Sequence, residues 1–254
     1  MIITALALGL LVGALLGLVG GGGSILAVPA LVYAVGLPLS SAIPTSLVVV
    51  GASSAVAVLP RLRGGVNWRL AAVIGAAGTA TAYLGALVNR LLDQKVLLLA
   101  FAVIMVIAGV RMFRTTKAGG GPCALPDGGT NWRSCLPRAL AVGAVVGFLT
   151  GLLGVGGGFL IVPALTLVLG LPMGLTIGTS LVIIVINSAA GFTAYLSDVQ
   201  IDWGVTAAFA AAAMAASLAA GRLGRRLPDV ILKRGFAVLV LAVAVYVTVQ
   251  ALTS

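Results

Sequence analysis

Residues 17–51 and 151–185 are the same sequence written twice. GLVGGGGSILAVPALVYAVGLPLSSAIPTSLVVVG aligns with GLLGVGGGFLIVPALTLVLGLPMGLTIGTSLVIIV without a gap at an offset of 134, and 18 of the 35 positions are identical. The matches include Gly20 with Gly154, Gly22 with Gly156, Gly23 with Gly157, Pro29 with Pro163, the Gly-Leu-Pro at 36–38 and 170–172, and Thr45-Ser46 with Thr179-Ser180. Such a chain is two related halves, each of which breaks its apolar run at the same place with a cluster of glycines.

Composition decides what surrounds those halves. With 61% hydrophobic and 8% charged residues and a mean hydropathy of +1.24, the chain has too little polar surface to coat a soluble globule. Apolar runs near 2–19, 40–59, 68–88, 95–113, 137–153, 174–196, 203–221 and 231–252 each approach the roughly 20 residues a helix needs to cross the hydrocarbon core. None alternates with the period of a barrel strand, so the expected fold is an all-α polytopic membrane protein. The pieces 24–36 and 158–170, each 13 residues, are short broken helices after the glycine clusters, either re-entrant or short and tilted, and make five helical segments per half. The stretch 1–16 resembles a signal peptide, but no Lys or Arg precedes Arg61 and the second half has a matching helix at 137–153. It reads as a retained first helix.

All fifteen basic residues lie in loops or at their edges, so the net charge of +10 reads as a topology signal and not as a nucleic-acid surface. The loop 60–67 carries Arg61 and Arg63, while its counterpart 197–202 carries Asp198 and Asp202 and no base. The loop 221–234 holds five basic residues against Asp229, while 89–95 holds only Arg90, Asp93 and Lys95. By the positive-inside rule, 60–67, 114–136 and 221–234 are expected to be cytoplasmic, and 89–95, 197–202 and both termini external. Corresponding loops then lie on opposite sides, so the two halves are expected to be inverted repeats: 1–113 is the first, 114–136 a cytoplasmic linker and 137–254 the second. Cys123 and Cys135 lie in that linker; with no His in the chain and no CxxC spacing, a metal site is not indicated. In the cytoplasm they are expected to be reduced thiols.

Gly20 to Gly23 and Gly156 to Gly158 interrupt apolar helices at membrane depth, where unwound backbone is tolerated only if protein buries it or a polar cavity wets it. The short helix that follows each cluster would point its free N–H groups and positive dipole end into the break, which suits an anion without any charged side chain. Glycines can also serve close packing. The series Gly9, Gly13, Gly17 and Gly143, Gly147, Gly151 fit that use, whereas a run of adjacent glycines does not follow one helix face. The substrate-binding expectation therefore covers Gly20, Gly22, Gly23 and Ser24 with Gly154, Gly156, Gly157 and Gly158. Thr45, Ser46, Thr179 and Ser180 are either walls of the same cavity or hydroxyls bonded to their own helix. Asn187 either ties helices together or touches substrate.

The chain has no Glu, and every Asp lies in a loop, so no carboxylate is available inside the membrane as a proton relay or cation site. A hydrogen-bonding, positively biased break favours a small anion. No acid, base, nucleophile or metal ligand pair stands at membrane depth, so no enzyme and no cofactor is expected.

At these repeated motifs, GLVGGGGSILAVPAL with GLP and TSL and then GLLGVGGGFLIVPAL with GLP and GTSL, the chain resembles the sulfite exporter TauE/SafE family of membrane permeases. The resemblance extends to the paired Val66-Asn67-Trp68 and Ile201-Asp202-Trp203. It implies a bacterial or archaeal-type inner-membrane carrier that exports small sulfur-containing anions, with the duplicated glycine and proline motif falling on Gly20, Gly22, Gly23 and Pro29 and on Gly154, Gly156, Gly157, Gly158 and Pro163. The first copy has Ser24 where the second has Gly158. An anion channel, or a facilitator for another small anion or organic acid, is the alternative. Expected partners are the anion and the lipid bilayer, with a homodimer left open and no nucleic acid.

Overall fold

The computed structural model describes residues 2–89, 94–114, 132–153, 158–193 and 202–253. Among the described residues the regular elements are helices: α1 (Ile2–Val19), α2 (Gly22–Pro29), α3 (Leu39–Val58), α4 (Trp68–Asn89), α5 (Gln94–Arg114), α6 (Trp132–Leu153), α7 (Gly158–Pro163), α8 (Met173–Thr193), α9 (Trp203–Gly224) and α10 (Asp229–Thr253). The eight long ones stand where the eight apolar runs place them, and five segments, Ser41–Arg61, Ser134–Leu152, Met173–Thr193, Trp203–Gly224 and Asp229–Val249, are long and apolar enough to cross a bilayer. α6 starts at Trp132, earlier than its apolar run at 137, because polar residues extend the helix before the span begins.

The two short helices carry the same deformation. Each ends on its proline, Pro29 or Pro163, and continues as one π-helical segment, Ala30–Ala34 or Ala164–Val168. Proline removes an N–H and crowds the carbonyl one turn back, and a π turn is one way the backbone re-forms its bonds beyond it. The Gly-Leu-Pro that follows is a stop signal with a mechanism. Gly36 and Gly170 adopt φ of 82° and 70°, and the next N–H groups, of Leu37 and Leu171, reach back to Leu31 O at 3.0 Å and Leu165 O at 3.1 Å. This is a left-handed glycine cap of the Schellman kind, widened by a residue to match the π turn, and Pro38 or Pro172 then prevents continuation.

Packing joins the halves rather than separating them. Gly9 lies against Phe209 and Ala212, Gly13 against Ala213, and Gly17 against Ser217 and Gly221, so α1 and α9 run parallel in backbone contact. Their counterparts do the same: Gly143 meets Ile74, Gly147 meets Gly78 and Gly151 meets Ala82. α4 and α6 are therefore a second parallel pair, and both glycine series serve close approach as expected. α3 and α8, which hold the matching Thr-Ser motifs, cross in opposite directions. A Cβ at Gly51 would sit 3.1 Å from Ser188 Cβ, and one at Gly191 would sit 3.4 Å from Leu47 Cδ1. α5 completes the pattern by packing on α10. Exchanging the halves maps this pairing onto itself.

One end of the bundle gathers the basic loops. Arg225 Nη1 donates to Pro60 O at 2.6 Å, and the Arg69 guanidinium lies 5.9 Å from the ring centre of Trp132. The connections before α4, before α6 and after α9 thus share a face. Asp229, at the start of α10, accepts from Met173 N at 3.1 Å and so caps α8 as well. The reduced-thiol expectation is not met at Cys135, which is buried in the first turns of α6 and disulfide-bonded. A helix start that buries its cysteine removes it from the solvated loop in which a free thiol was expected. The chain's other cysteine, Cys123, lies outside the described residues.

Candidate functional site

The first glycine cluster is a reversal. α1 ends at Val19, Gly20 takes φ of 76°, and α2 starts at Gly22 and folds back along α1, so that Gly23 lies against Val12 and Leu16. Only glycine tolerates that left-handed turn without strain in this space: a Cβ on Gly20 would come within 2.7 Å of Ile177 Cγ2 and 2.8 Å of Ser180 Oγ.

Each residue of the run meets a different element. Gly20 faces α8, Gly21 faces the Gly158 carbonyl, Gly22 faces Leu239 of α10, and Gly23 faces α1. Packing on several sides therefore accounts for a run of adjacent glycines, a use that a one-face argument sets aside.

The reversal brings the two short helices together at their starts. A Cβ at Gly158 would lie 2.9 Å from Ser24 Oγ, so two positions that correspond in the repeat also touch in the fold. Ser24 donates to Gly21 O at 2.7 Å, which holds the turn closed beneath the first N–H groups of α2. The Ser24 N–H also turns back to Gly21 O, at 3.3 Å, while those of Gly22 and Gly23 precede the first bond of the helix. Gly154, Gly156 and Gly157 lie outside the described residues, so the second break is represented by Gly158 alone.

Ser180 is a polar side chain from the opposite half that reaches the break. Its hydroxyl lies 2.7 Å from Gly20 O and 2.9 Å from Ile177 O, within hydrogen-bond reach of both carbonyls at 0% exposure. This links α8 to the reversal. A hydroxyl on a helix that could have bonded only its own turn here also spans the halves.

The other expected wall residues do different work. Thr179 accepts from Asn67 N at 3.0 Å and donates to Leu175 O at 2.7 Å, which fixes the start of α4 against α8. Asn67 in turn accepts from Leu70 N with its side chain, and Asp202 caps α9 in the same way through Gly204 N and Val205 N. Asn187 accepts from Thr79 Oγ1 at 3.3 Å, a bond between α4 and α8. Ser46 donates to Ile43 O at 2.7 Å, while Thr45 is fully buried and its Oγ1 has no partner. Gly20, Ser24, Gly158 and Ser180 thus come together, whereas Thr179 and Asn187 on α8 turn to α4, and Ser46 on α3 bonds within its own helix. Sequence reading did not find Thr79, one of two threonines in the middle of α4. It also did not anticipate that Arg61, read as a loop residue, is buried at 4% exposure.

Among the described residues no cluster of His, Cys, Asp or Glu could hold a metal. The chemistry at the break is that of a helix start, whose backbone N–H groups can bind an oxyanion by donation, beside the Gly20, Gly21 and Gly158 carbonyls, two of which already accept from the Ser180 and Ser24 hydroxyls.

Comparison with known proteins places the chain firmly. The sequence model described as "Sulfite exporter TauE/SafE" matches residues 5–247. A "Probable membrane transporter protein" of Xylella fastidiosa (strain 9a5c) is 35% identical over 97% of this chain and 94% of its own length. The "Probable membrane transporter protein YunE" of Bacillus subtilis (strain 168) is 28% identical over 77% of this chain and 78% of its own. The "Probable membrane transporter protein MJ0441" of Methanocaldococcus jannaschii is also 28% identical, over 74% and 70%. No solved structure matches.

Proposed function

The chain belongs to the sulfite exporter TauE/SafE family, and from that membership we propose that it is a secondary transporter that exports small anions of the sulfite class across the cell's inner membrane by alternating access. Sulfur oxyanions and organosulfonates share the chemistry required: a compact negative charge whose oxygens accept hydrogen bonds. The observation that carries the reading is the meeting of the α2 start with the α7 start at Ser24 and Gly158, with Ser180 holding the Gly20 turn from the opposite half. Helix starts at a break in the membrane are how transporters hold anions without a buried counter-charge. The site runs over Gly20, Gly22, Gly23 and Ser24 and over Gly154, Gly156, Gly157 and Gly158. Thr45, Ser46, Thr179, Ser180 and Asn187 hold or line it.

The halves are read as inverted repeats. The antiparallel crossing of α3 and α8 and the self-mapping of the helix pairing support that reading. Alternating access then means that the tightly packed break opens to one side at a time. Proteoliposomes loaded with sulfite, thiosulfate or an organosulfonate are expected to release it along a saturable, temperature-steep curve that empty liposomes lack. Flux linear in concentration and weakly dependent on temperature would reassign the chain to the channels, and no flux of any of the three would overturn the anion class.

The face that carries Pro60, Trp132 and Arg225 is read as cytoplasmic because its basic residues act as retention signals during insertion. The Cys135 disulfide points toward an oxidising compartment. Charge is the heavier indicator, since it acts on several loops at once whereas a disulfide needs only two thiols that meet. In a background with Cys123 and Cys135 replaced by Ser, a cysteine placed at the exposed Arg63 is expected to escape an impermeant maleimide in intact cells and to react after permeabilisation. Labelling in intact cells would invert the assignment.

A further inference from the structure

The end of α9 and the turn after α3 enclose a groove of about 790 Å³ that the transport reading does not use. Its apolar wall includes Leu59, Leu218 and Leu223, and Arg222, Arg225 and Arg226 line it as well. Leu59 is 54% and Leu223 57% exposed, so this wall is uncovered by protein. The spans Ser41–Arg61 and Trp203–Gly224 both end here, which sets the groove where hydrocarbon gives way to headgroups.

A second observation lies behind the same wall. Arg61 is 4% exposed, and its Nε and Nη2 have no hydrogen-bond partner. A Cβ on Gly224, at the end of α9, would sit 3.1 Å from that guanidinium. Arg61 feels the like charge of Arg225 and the opposite charge of Asp229, the one acidic residue of the connection 221–234 against its five basic ones. A buried guanidinium with unpaired donors is costly unless a negative group compensates it. Arg225 uses Nη1 on Pro60 O, which keeps its head at the groove beside Arg61. The local surplus of positive charge therefore calls for an anion, and the uncovered leucines call for a hydrocarbon chain attached to it.

We propose that this groove seats an anionic phospholipid, its phosphate over Arg222, Arg225 and Arg226 and an acyl chain along Leu59, Leu218 and Leu223. Basic pockets between spans at a membrane face are suited to such headgroups. Arg61 adds charge from behind the wall. A small free anion would satisfy the arginines but would leave the apolar wall without an occupant. The inference rests only on the multi-pass membrane placement, so its failure would leave the transport reading untouched.

The test uses the full chain, purified and delipidated in detergent, with phosphatidylglycerol, phosphatidylcholine or inorganic phosphate added. Bound lipid is read by native mass spectrometry and the unfolding midpoint by fluorescence. Phosphatidylglycerol is expected to give retained adducts and a raised midpoint, weakened by salt, with phosphatidylcholine and phosphate giving neither. At about fivefold per arginine near a membrane surface, R222Q/R226Q is expected to bind phosphatidylglycerol roughly 30-fold more weakly. Both positions are exposed, so its midpoint without lipid should match the parent, and R222K/R226K should keep most of the affinity. Undiminished adducts on R222Q/R226Q, or equal binding of phosphatidylcholine, would overturn the site. The same midpoint shift from inorganic phosphate would overturn the lipid assignment in favour of a free anion.

Discussion

Replacing Gly147 with valine is expected to abolish the folded state in detergent. A Cβ there falls on the backbone of Gly78, on its O, Cα and C atoms, so the obstacle is a main chain that cannot rotate out of the way. Overpacking a core costs about 1–3 kcal/mol and occasionally more, and backbone against backbone belongs at or beyond the upper end. The parallel pair α4 and α6 would have to part along its length, because Gly143 and Gly151 hold the same seam one turn to either side. Size-exclusion profiles and thermal unfolding of the purified variant check this. Gly235→Ala is the control: nothing lies within 4 Å of its added Cβ, and relief of a helix glycine is worth roughly 0.5–1 kcal/mol. A monodisperse Gly147→Val with an unchanged midpoint would show that the seam is not close-packed.

The second large effect is on transport. Gly20→Ala places a methyl against Ile177 and Ser180 at a φ of 76°, where an L residue pays about 1–2 kcal/mol in strain alone. It also presses on the Ser180 hydroxyl that spans the halves at the break. Flux in proteoliposomes is expected to fall at least tenfold, the equivalent of about 1.4 kcal/mol on the transport barrier. Gly36→Ala separates strain from site, because Gly36 has φ of 82° with nothing within 4 Å. It should lose the strain share of the stability and retain flux. If both variants lose flux alike, backbone strain explains the loss and the break is not the transport site.

Much of the architecture could be read in advance because single periodicities carry it. A span of apolar residues is a local property, so the eight long helices follow from composition alone. The two Gly-x-x-x-Gly series mark a face, so their packing role was also readable, although not that α1 would choose α9 and α6 would choose α4. Partner choice depends on shape across the whole bundle. The Gly-Leu-Pro motif was visible as a repeat, but its work as a cap for a π segment depends on a backbone register that no side-chain pattern encodes.

The candidate site was legible as a cluster of residue types and less so as a geometry. Gly20 to Gly23, Gly158, Ser24 and Ser180 converge, yet Thr179 turns to Asn67 and Asn187 to Thr79. A small polar side chain in a span must find some partner, and whether that partner is a helix or a ligand is decided by which neighbour lies within 3 Å. The run of glycines is the sharper lesson. Adjacent glycines can be demanded by packing when four different elements converge on one turn, as α8, α7, α10 and α1 do on Gly20 to Gly23.

The pairing of every long helix with one from the other half has a consequence for how the protein is made. α1 is synthesised some 200 residues ahead of α9, and at roughly 5–20 residues per second it must wait on the order of 10–40 s in the bilayer with its glycine seam uncovered. α3 waits likewise for α8. Insertion and assembly are therefore separate events for this chain, and the first half is held by lipid, or by whatever shelters nascent spans, until the second arrives. Neither half synthesised alone has the partner helices that cover its seams, and the two halves supplied as separate chains are expected to find one another.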